Sequence, residues 1–311
     1  MKSGNKTIIC LMGPTASGKT PLAVELVQQY PLEIVSVDSA MVYRGLDIGT
    51  AKPDAETLRV APHRLINICD PAQAYSAGQF RQDALRAITE IHAAGKIPLL
   101  TGGTMLYFRV LLQGIAELPR ANEALRATLK ARAAREGWEA LHAELASVDP
   151  VAAARIHAND AQRIQRALEV FHLTGKPISS QQRDDTSPLA GYDLVQMALM
   201  PPDREKLHQR IAERFDTMLS AGLVDEVAQL MARGDLSPDM PSIRSVGYRQ
   251  VWDHLAGNID ATIMRETAIA ATRQLAKRQM TWLRSWPECQ FLDSDAADLV
   301  ANAGKSIAAS I

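Results

Sequence analysis

The chain has 311 residues, of which 47% are hydrophobic, 22% charged and 5% aromatic. This length allows about two domains, and the apolar fraction can bury a core, which excludes a disordered chain. Lysine and arginine together (34) balance aspartate and glutamate (35), so a polyanion would have to bind to a local basic face.

Strand and helix patterns alternate through the first third of the chain. Helical patterns cover residues 22–27 and 80–93. Short apolar runs predict four buried strands, at residues 7–12, 33–38, 64–69 and 97–100. This alternation predicts an α/β fold in which helices cover both faces of a parallel sheet.

The pattern changes at about residue 117. Residues 118–188 are rich in Ala, Arg, Glu and Gln at helical spacing and contain no strand pattern. A strand pattern returns at residues 192–200, and the remainder is mostly helical. We therefore predict a catalytic core formed by residues 1–117 and 190–311, with a helical C-terminal part, and an all-helical domain of residues 118–189 inserted into it.

A phosphate-binding motif follows the first predicted strand. Residues Gly13, Pro14, Thr15, Ala16, Ser17, Gly18, Lys19 and Thr20 fit G-x-x-x-x-G-K-[ST] between a strand and a helix, which a chance glycine-rich turn would not reproduce. Glycines allow backbone N–H groups to converge on phosphate oxygens, and the helix N-terminus adds partial positive charge. Lys19 supplies a mobile charge, and the Thr20 hydroxyl can bind Mg²⁺. The motif predicts a P-loop NTPase-like core that binds a diphosphate or triphosphate.

The usual partners of a nucleotide-hydrolysing P-loop are missing. The fourth strand continues into Thr101-Gly102-Gly103-Thr104 without an acid, and the base-reading Asn-Lys-x-Asp motif of GTPases is absent. The second strand does end in an acid, Asp38. An aspartate in this position often caps a turn, but the carboxyl ends of parallel strands are also where α/β sheets bind ligands. Asp38 and the 102–104 turn are therefore candidate site residues.

Three blocks resemble the bacterial tRNA dimethylallyltransferases: residues 13–20, 38–53 and 102–108. Later blocks agree with the same family, at 160–170, 214–223, 245–250 and 277–282. Ala40-Met41 stands where the family often has Met-Gln or Ser-Gln, and Met105 replaces a frequent glycine. The resemblance covers nearly the whole chain in order.

The resemblance implies that a dimethylallyl group passes from dimethylallyl diphosphate to the exocyclic amine of the tRNA adenosine immediately 3′ of the anticodon, with release of diphosphate. It implies that Asp38 accepts the amine proton, and that Lys19, Thr104, Arg214 and Mg²⁺ on Thr20 stabilise the leaving diphosphate. The base would be flipped into a channel, and the helical insertion would grip the anticodon arm. The expected partners are tRNA and dimethylallyl diphosphate, and the expected cofactor is Mg²⁺.

The family's tRNA-contact segments match several stretches of this chain. Three helical faces also carry basic residues, although a single basic face is more often ordinary solvated surface. The expected tRNA contacts are Asp38, Ser39, Ala40, Met41, Thr104, Arg126, Gln162, Arg163, Ile164, Gln165, Arg166, Arg244, Ser245, Val246, Gly247, Tyr248, Arg249, Lys277, Arg278, Gln279, Met280, Thr281, Trp282, Leu283 and Arg284. The four tryptophans are predicted to pack in the core. Residues 105–108 could line a prenyl pocket or pack on the sheet.

The sequence leaves two other functions open. One is a P-loop kinase that phosphorylates a small acceptor with Asp38 as its base, and the other is a non-catalytic, nucleotide-gated RNA-binding module. Apolar runs shorter than the ~20 residues of a membrane span, the lack of a signal-peptide pattern and three scattered cysteines lead us to expect a cytoplasmic protein. We expect a monomer.

Overall fold

The computed structural model describes residues 6–114, 116, 118–181 and 187–311. The chain divides into two compact units, one made of Met1–Leu111 and Leu189–Ile311 and the other of Leu112–Pro188. The predicted insertion begins later, at residue 118. The structural division falls at residue 112 because helix Met105–Leu112, which begins in the larger unit, ends there.

Six parallel strands form one sheet in the order β3-β2-β4-β1-β5-β6. The strands are β1 (Thr7–Met12), β2 (Leu32–Val37), β3 (His63–Arg64), β4 (Ile97–Gly102), β5 (Asp193–Met200) and β6 (Gln290–Asp293). The predicted parallel α/β architecture is thus confirmed.

Fourteen helices are present in the described residues. They are α1 (Lys19–Gln29), α2 (Ala55–Val60), α3 (Ala77–Ala93), α4 (Met105–Leu112), α5 (Glu123–Glu136), α6 (Trp138–Val148), α7 (Pro150–Ala153), α8 (Ala161–Thr174), α9 (Ile178–Gln181), α10 (Arg204–Ser220), α11 (Leu223–Ala232), α12 (Tyr248–Leu255), α13 (Ala261–Arg284) and α14 (Leu299–Ala308). None of these helices combines the length and apolarity needed to cross a membrane.

The sequence prediction fails at two strands. The strand predicted at 64–69 is only two residues long, because Leu65 and Asn67 adopt left-handed backbone (φ 63° and 56°), which ends an extended segment. Strand β6 lies where the sequence predicts mostly helix. Its four residues are too few to produce a recognisable alternation of polar and apolar side chains.

The central strands show that both faces of the sheet are buried. Successive residues of a strand point to opposite faces, and all six residues of β1 are buried. On one face, Ile9 and Leu11 share a core with residues of α1 and α14. A second core in the same unit packs α10–α13 against the segment Val42–Ile48, which follows β2. Helices therefore flank the carboxyl ends of the strands, where the phosphate-binding loop begins.

The smaller unit contains helices α5–α9, and its described residues include no strand. Leu129, Leu141, Leu145 and Leu168 are central to its own hydrophobic core. Separate cores explain why the chain divides into two units.

Candidate active site

The phosphate-binding loop joins β1 to α1. Gly18 has a φ of 84°, a left-handed conformation that glycine adopts without strain, and it directly precedes the first helical residue, Lys19. The Lys19 ammonium donates a hydrogen bond to the Pro14 carbonyl oxygen at 2.6 Å. A Cβ on Gly13 would lie 2.8 Å from Ser17 Oγ, so this position has no room for a side chain. The loop is a compact cradle whose lysine lies across it.

Two cations and one carboxylate share this poorly solvated region. Burial and, to a smaller extent, the nearby Arg214 lower the pKa of Lys19, the Asp38 carboxylate opposes them, and the net result is a pKa of about 7. Burial also lowers the pKa of Arg214, again opposed by Asp38. Neighbouring cations destabilise each other when no anion separates them. The arrangement is therefore suited to a ligand with more than one negative charge.

Asp38 lies at the carboxyl end of β2 and is fixed by its own loop. Its Oδ1 accepts hydrogen bonds from the backbone N–H groups of Ala40 (2.8 Å) and Met41 (3.2 Å). The side chain also lines the cleft. Both interpretations of Asp38 from the sequence are therefore compatible: one oxygen caps the turn while the residue faces the candidate site.

Thr104 connects the ends of two neighbouring strands. Its Oγ1 accepts a hydrogen bond from the Ser39 N–H at 3.0 Å, and its own N–H donates to the Val37 carbonyl oxygen at 3.2 Å. Gly102 must be glycine, because a Cβ there would lie 2.1 Å from the same carbonyl oxygen. The Asp38 turn and the 102–104 turn are thus held against each other.

A cleft of about 1170 Å³ in the larger unit unites most of the expected site. Among the predicted residues, it is lined by Thr15, Ala16, Ser17, Gly18, Lys19, Thr20, Asp38, Ser39, Ala40, Met41, Thr104, Arg214, Arg244, Ser245, Val246, Gly247, Arg278, Gln279 and Trp282. Residues separated by more than 200 positions therefore share one cavity, as expected for a binding site at the strand ends.

Ser36 and Thr101 also line this cleft. Thr101 is 7% exposed, and its Oγ1 has no hydrogen-bond partner among the described residues. Because an unpaired buried hydroxyl is costly, a bound ligand could stabilise this site by pairing with it.

The segment 105–108 divides between the cleft and the core. Met105 and Leu106 line the cleft, and Leu106 is 49% exposed. Tyr107 and Phe108 are buried, and the Tyr107 ring stacks on Phe80 with centroids 4.1 Å apart. Only the first two residues therefore remain candidates for a prenyl pocket.

Two charged residues that the sequence analysis does not single out hold the loop of residues 47–53, which also lines the cleft. The Glu226 carboxylate accepts hydrogen bonds from the backbone N–H groups of residues 47, 48 and 49 and from the Tyr248 hydroxyl at 2.5 Å. The Lys52 side chain is 4% exposed, and its ammonium donates to the carboxylate of Asp47 at 2.7 Å and to the carbonyl oxygen of Tyr43. No local signal marks Glu226, because its backbone partners lie almost 180 residues away.

Three expected tRNA contacts, Ile164, Tyr248 and Leu283, are 0% exposed, which corrects the prediction for their side chains. Gln279 is 8% exposed and lines the cleft, so its contact with tRNA stays a prediction. A contiguous segment of helix includes both its exposed and its core-facing sides, so a motif that spans 162–166 or 277–284 necessarily contains core residues.

Two expected contacts in the smaller unit are tied to a buried carboxylate. Glu169 is 0% exposed and accepts hydrogen bonds from the guanidinium groups of Arg126 (2.8 and 3.0 Å) and Arg166 (2.6 Å). Arg166 also donates to the Pro119 carbonyl oxygen. Both arginines therefore have a structural role, and their guanidinium groups remain only partly exposed (39% and 28%).

The remaining expected contacts lie on exposed or half-buried surface. Gln162 and Arg163 are exposed on α8, and Gln165 is half-buried, with its amide donating to the Arg126 carbonyl oxygen at 3.0 Å. In the larger unit, Arg249, Lys277, Thr281 and Arg284 are exposed, and Met280 is half-buried.

The tryptophans do not all pack in the core as predicted. Trp252 and Trp286 are buried, and Trp138 is half-buried against the core of the smaller unit. Trp282 is 37% exposed, and the Arg109 guanidinium lies 5.9 Å from its ring centroid. Its exposure at the cleft overturns the core prediction for this residue.

The described residues contain no group of three or more His, Cys, Asp and Glu side chains that could hold a metal ion. Mg²⁺ is commonly held by few protein ligands together with phosphate oxygens and water. Thr20 at the start of α1 is suited to that kind of site, because it carries a hydroxyl and lines the cleft at the end of the phosphate-binding loop.

Comparison with known proteins gives a consistent result. A family model described as IPP transferase matches residues 41–286. A protein named tRNA dimethylallyltransferase from Thioalkalivibrio sulfidiphilus is 59% identical over 293 residues, which cover 94% of this chain and 92% of that protein. One of the same name from Thiobacillus denitrificans is 58% identical over 301 residues, covering 97% and 96%.

Solved structures agree with the sequence relatives. A full-length tRNA isopentenylpyrophosphate transferase from Bacillus halodurans is 37% identical with a TM-score of 0.72, covering 98% of this chain and 97% of that chain. A eukaryotic dimethylallyltransferase, captured acting on tRNA, is 26% identical with a TM-score of 0.78, covering 97% of this chain and 78% of that chain.

Proposed function

Because this chain belongs to the IPP transferase family, we propose that it transfers the dimethylallyl group of dimethylallyl diphosphate to the exocyclic amine of the tRNA adenosine immediately 3′ of the anticodon. The observation that carries the proposal is the crowding of Lys19 and Arg214 at the phosphate-binding loop, beside the Asp38 carboxylate. The negative charge of an allylic diphosphate would offset the repulsion between these two cations.

The reaction needs one bond to form and one to break. The amine nitrogen forms a bond to the first carbon of the allyl group while the bond from that carbon to the diphosphate oxygen breaks. Negative charge grows on the departing diphosphate, where the loop N–H groups, Lys19, Arg214 and Thr104 stabilise it. The exocyclic amine is a weak nucleophile, and Asp38 accepts its proton as the new bond forms.

Mg²⁺ is the proposed cofactor. Thr20 would hold the ion together with diphosphate oxygens, and a bound ion would neutralise charge on the leaving group. Thr20 lines the cleft next to Lys19, which supports a site that the substrate completes.

The tRNA would be contacted by exposed residues of the larger unit and by exposed residues of the smaller unit. Lys277, Arg278 and Arg284 are exposed on α13, and Gln162 and Arg163 are exposed on α8. Phosphate contacts of this kind fix the position of a nucleic acid, whereas the flipped adenine is selected in the cleft. We propose that the protein acts as a monomer in the cytoplasm and that the smaller unit contacts the anticodon arm.

Transfer to defined tRNA transcripts tests this function. Purified protein is incubated with dimethylallyl diphosphate, Mg²⁺ and a transcript with adenosine 3′ of the anticodon, and nucleosides are analysed by mass spectrometry. We expect one five-carbon group on that adenosine and stoichiometric release of diphosphate. A matched transcript with guanosine in this position should remain unmodified.

Calorimetry distinguishes the two other functions. Tight, Mg²⁺-dependent binding of ATP without affinity for dimethylallyl diphosphate, together with phosphorylation of a small acceptor, would favour a kinase. Binding of tRNA without any transfer would favour a non-catalytic module. Either result would contradict the proposed reaction.

A further inference from the structure

A single buried amide joins the two loops that border the cleft. Gln279 extends from α13, and its Oε1 accepts a hydrogen bond from the Thr15 N–H at 2.9 Å. Its Nε2 donates to the Gly103 carbonyl oxygen at 2.8 Å. An N–H group on one side and a carbonyl on the other require an acceptor and a donor from one side chain, and an amide provides both without charge. The partners therefore determine the orientation of this amide.

The close fit at Gly103 depends on the same amide. A Cβ on Gly103 would lie 2.4 Å from Gln279 Nε2 and 3.2 Å from the Gly13 carbonyl oxygen. A side chain at position 103 would therefore displace both the amide and the phosphate-binding loop. The space beside the glycine is occupied by the Gln279 side chain.

The two loops that Gln279 joins carry different parts of the proposed chemistry. Thr15 belongs to the loop that contains Lys19. Gly103 precedes Thr104, whose hydroxyl accepts the Ser39 N–H next to Asp38. Each step along this path is a covalent link or a short hydrogen bond. Gln279 thus lies between the diphosphate cradle and the turn that carries the carboxylate.

We propose that Gln279 is a positioning residue that fixes the spacing between the phosphate-binding loop and the 102–104 turn. This rests on the proposed function, since the spacing matters because Asp38 must reach the amine while Lys19 holds the diphosphate. Both polar atoms of the Gln279 amide are hydrogen-bonded to the two loops, so Gln279 acts through the loops. A displacement of about 1 Å can cost on the order of 100-fold in rate when reacting groups must meet in one geometry.

The test compares Gln279→Glu, Gln279→Met and the control Gln274→Glu, which changes an exposed residue of the same helix. An ionised carboxylate can accept the Thr15 N–H but cannot donate to the Gly103 carbonyl oxygen, whereas a protonated one can do both. Lys19, Arg214 and Asp38 also line this cleft, so each rate is divided by the wild-type rate at the same pH.

We expect Gln279→Glu to reduce kcat by about 10- to 100-fold at alkaline pH, and this ratio should recover as the pH is lowered. Gln279→Met preserves the side-chain length but removes both hydrogen bonds, so its kcat should fall at every pH. Gln274→Glu should keep the wild-type rate throughout. Measurements are made well below the unfolding temperature of each variant, so that loss of folded protein does not contribute.

A flat ratio for Gln279→Glu across the pH series would overturn the proposal, and so would a wild-type kcat for Gln279→Met. Binding of inorganic diphosphate with Mg²⁺, measured by calorimetry, separates this failure from failure of the proposed function. If the wild type binds diphosphate but transfers no prenyl group, the function is wrong. In that case only the affinity for diphosphate tests the positioning role of Gln279, and an unchanged affinity in both Gln279 variants would refute that role.

Discussion

Replacing Asp38 with asparagine separates the two tasks that we assign to its carboxylate. One oxygen accepts the N–H groups of Ala40 and Met41, and an amide oxygen can accept both in the same way. An amide cannot accept the proton of the adenosine amine. We therefore expect Asp38→Asn to fold normally, to bind tRNA and dimethylallyl diphosphate with little change, and to lose turnover.

The magnitudes follow from these contacts. General-base catalysis contributes about 10²- to 10⁴-fold, so the single-turnover rate should fall by that factor. Loss of charge from the acceptor should cost about 1 kcal/mol of stability, since hydrogen bonds to a charged group are the stronger ones. Asp38→Ala removes both hydrogen bonds and should cost about 2–3 kcal/mol. The two variants should thus have similar rates and different unfolding temperatures.

Single-turnover rates over a Mg²⁺ series, with thermal unfolding of each variant, measure these effects. Asp260→Asn is the matched control, because Asp260 caps α13 by accepting the Ile263 N–H at 2.8 Å and does not line the cleft. Its rate should equal that of the wild type. Recovery of Asp38→Asn at high Mg²⁺ would show that Asp38 chiefly holds the metal, and a rate within a few-fold of wild type would refute the base assignment.

Three further predictions concern charge. Lys19→Ala should weaken diphosphate binding by at least about tenfold without unfolding the protein. In the wild type, the affinity for diphosphate should decline as the pH rises above about 7, because the bound anion favours the ammonium form of Lys19. A pH-independent affinity, measured by calorimetry, would contradict this prediction. Glu226→Gln should destabilise the protein by about 2–3 kcal/mol. The Glu226 carboxylate accepts three backbone N–H groups and a hydroxyl, and the substitution removes its charge and one of its two acceptor oxygens. An unchanged unfolding temperature would contradict this prediction. Lys277→Ala and Arg284→Ala should each reduce the log–log salt slope of tRNA binding by about one, whereas unchanged slopes would leave these residues as ordinary solvated surface.

The parts of the fold that follow from sequence are those determined locally. Strand β1 and the phosphate-binding loop form one contiguous pattern, and the residues that end β2 and β4 could be assigned to the ligand edge because parallel strands align there. The short strand β3 could not be predicted, since the apolar run after Arg64 is interrupted by left-handed backbone at Leu65. Hydrophobicity alone does not reveal that turn.

The supporting residues of the site could not be predicted, for a different reason. Gln279 joins Thr15 across 264 positions, and Glu226 binds the backbone N–H of Ile48 across 178. In the sequence, each is an ordinary polar residue of a helix. Their roles depend on which backbone groups the fold leaves opposite them. The family resemblance marks Gln279 only as part of the segment 277–284 and does not mark Glu226, so the structure is needed to show that both residues hold loops.

The near-neutral composition conceals a local surplus of positive charge. Many arginines are neutralised by carboxylates within the protein, as Arg233 is by Asp70 and Asp235, and Arg265 by Asp216. In the part of the chain that the structure describes, Lys277 and Arg284 have no carboxylate within ion-pair distance. The net charge of −1 therefore includes many acids that are already paired with arginines inside the protein. A polyanion interacts mainly with the cations that have no carboxylate partner. Local pairing, rather than total charge, decides whether this protein can bind tRNA.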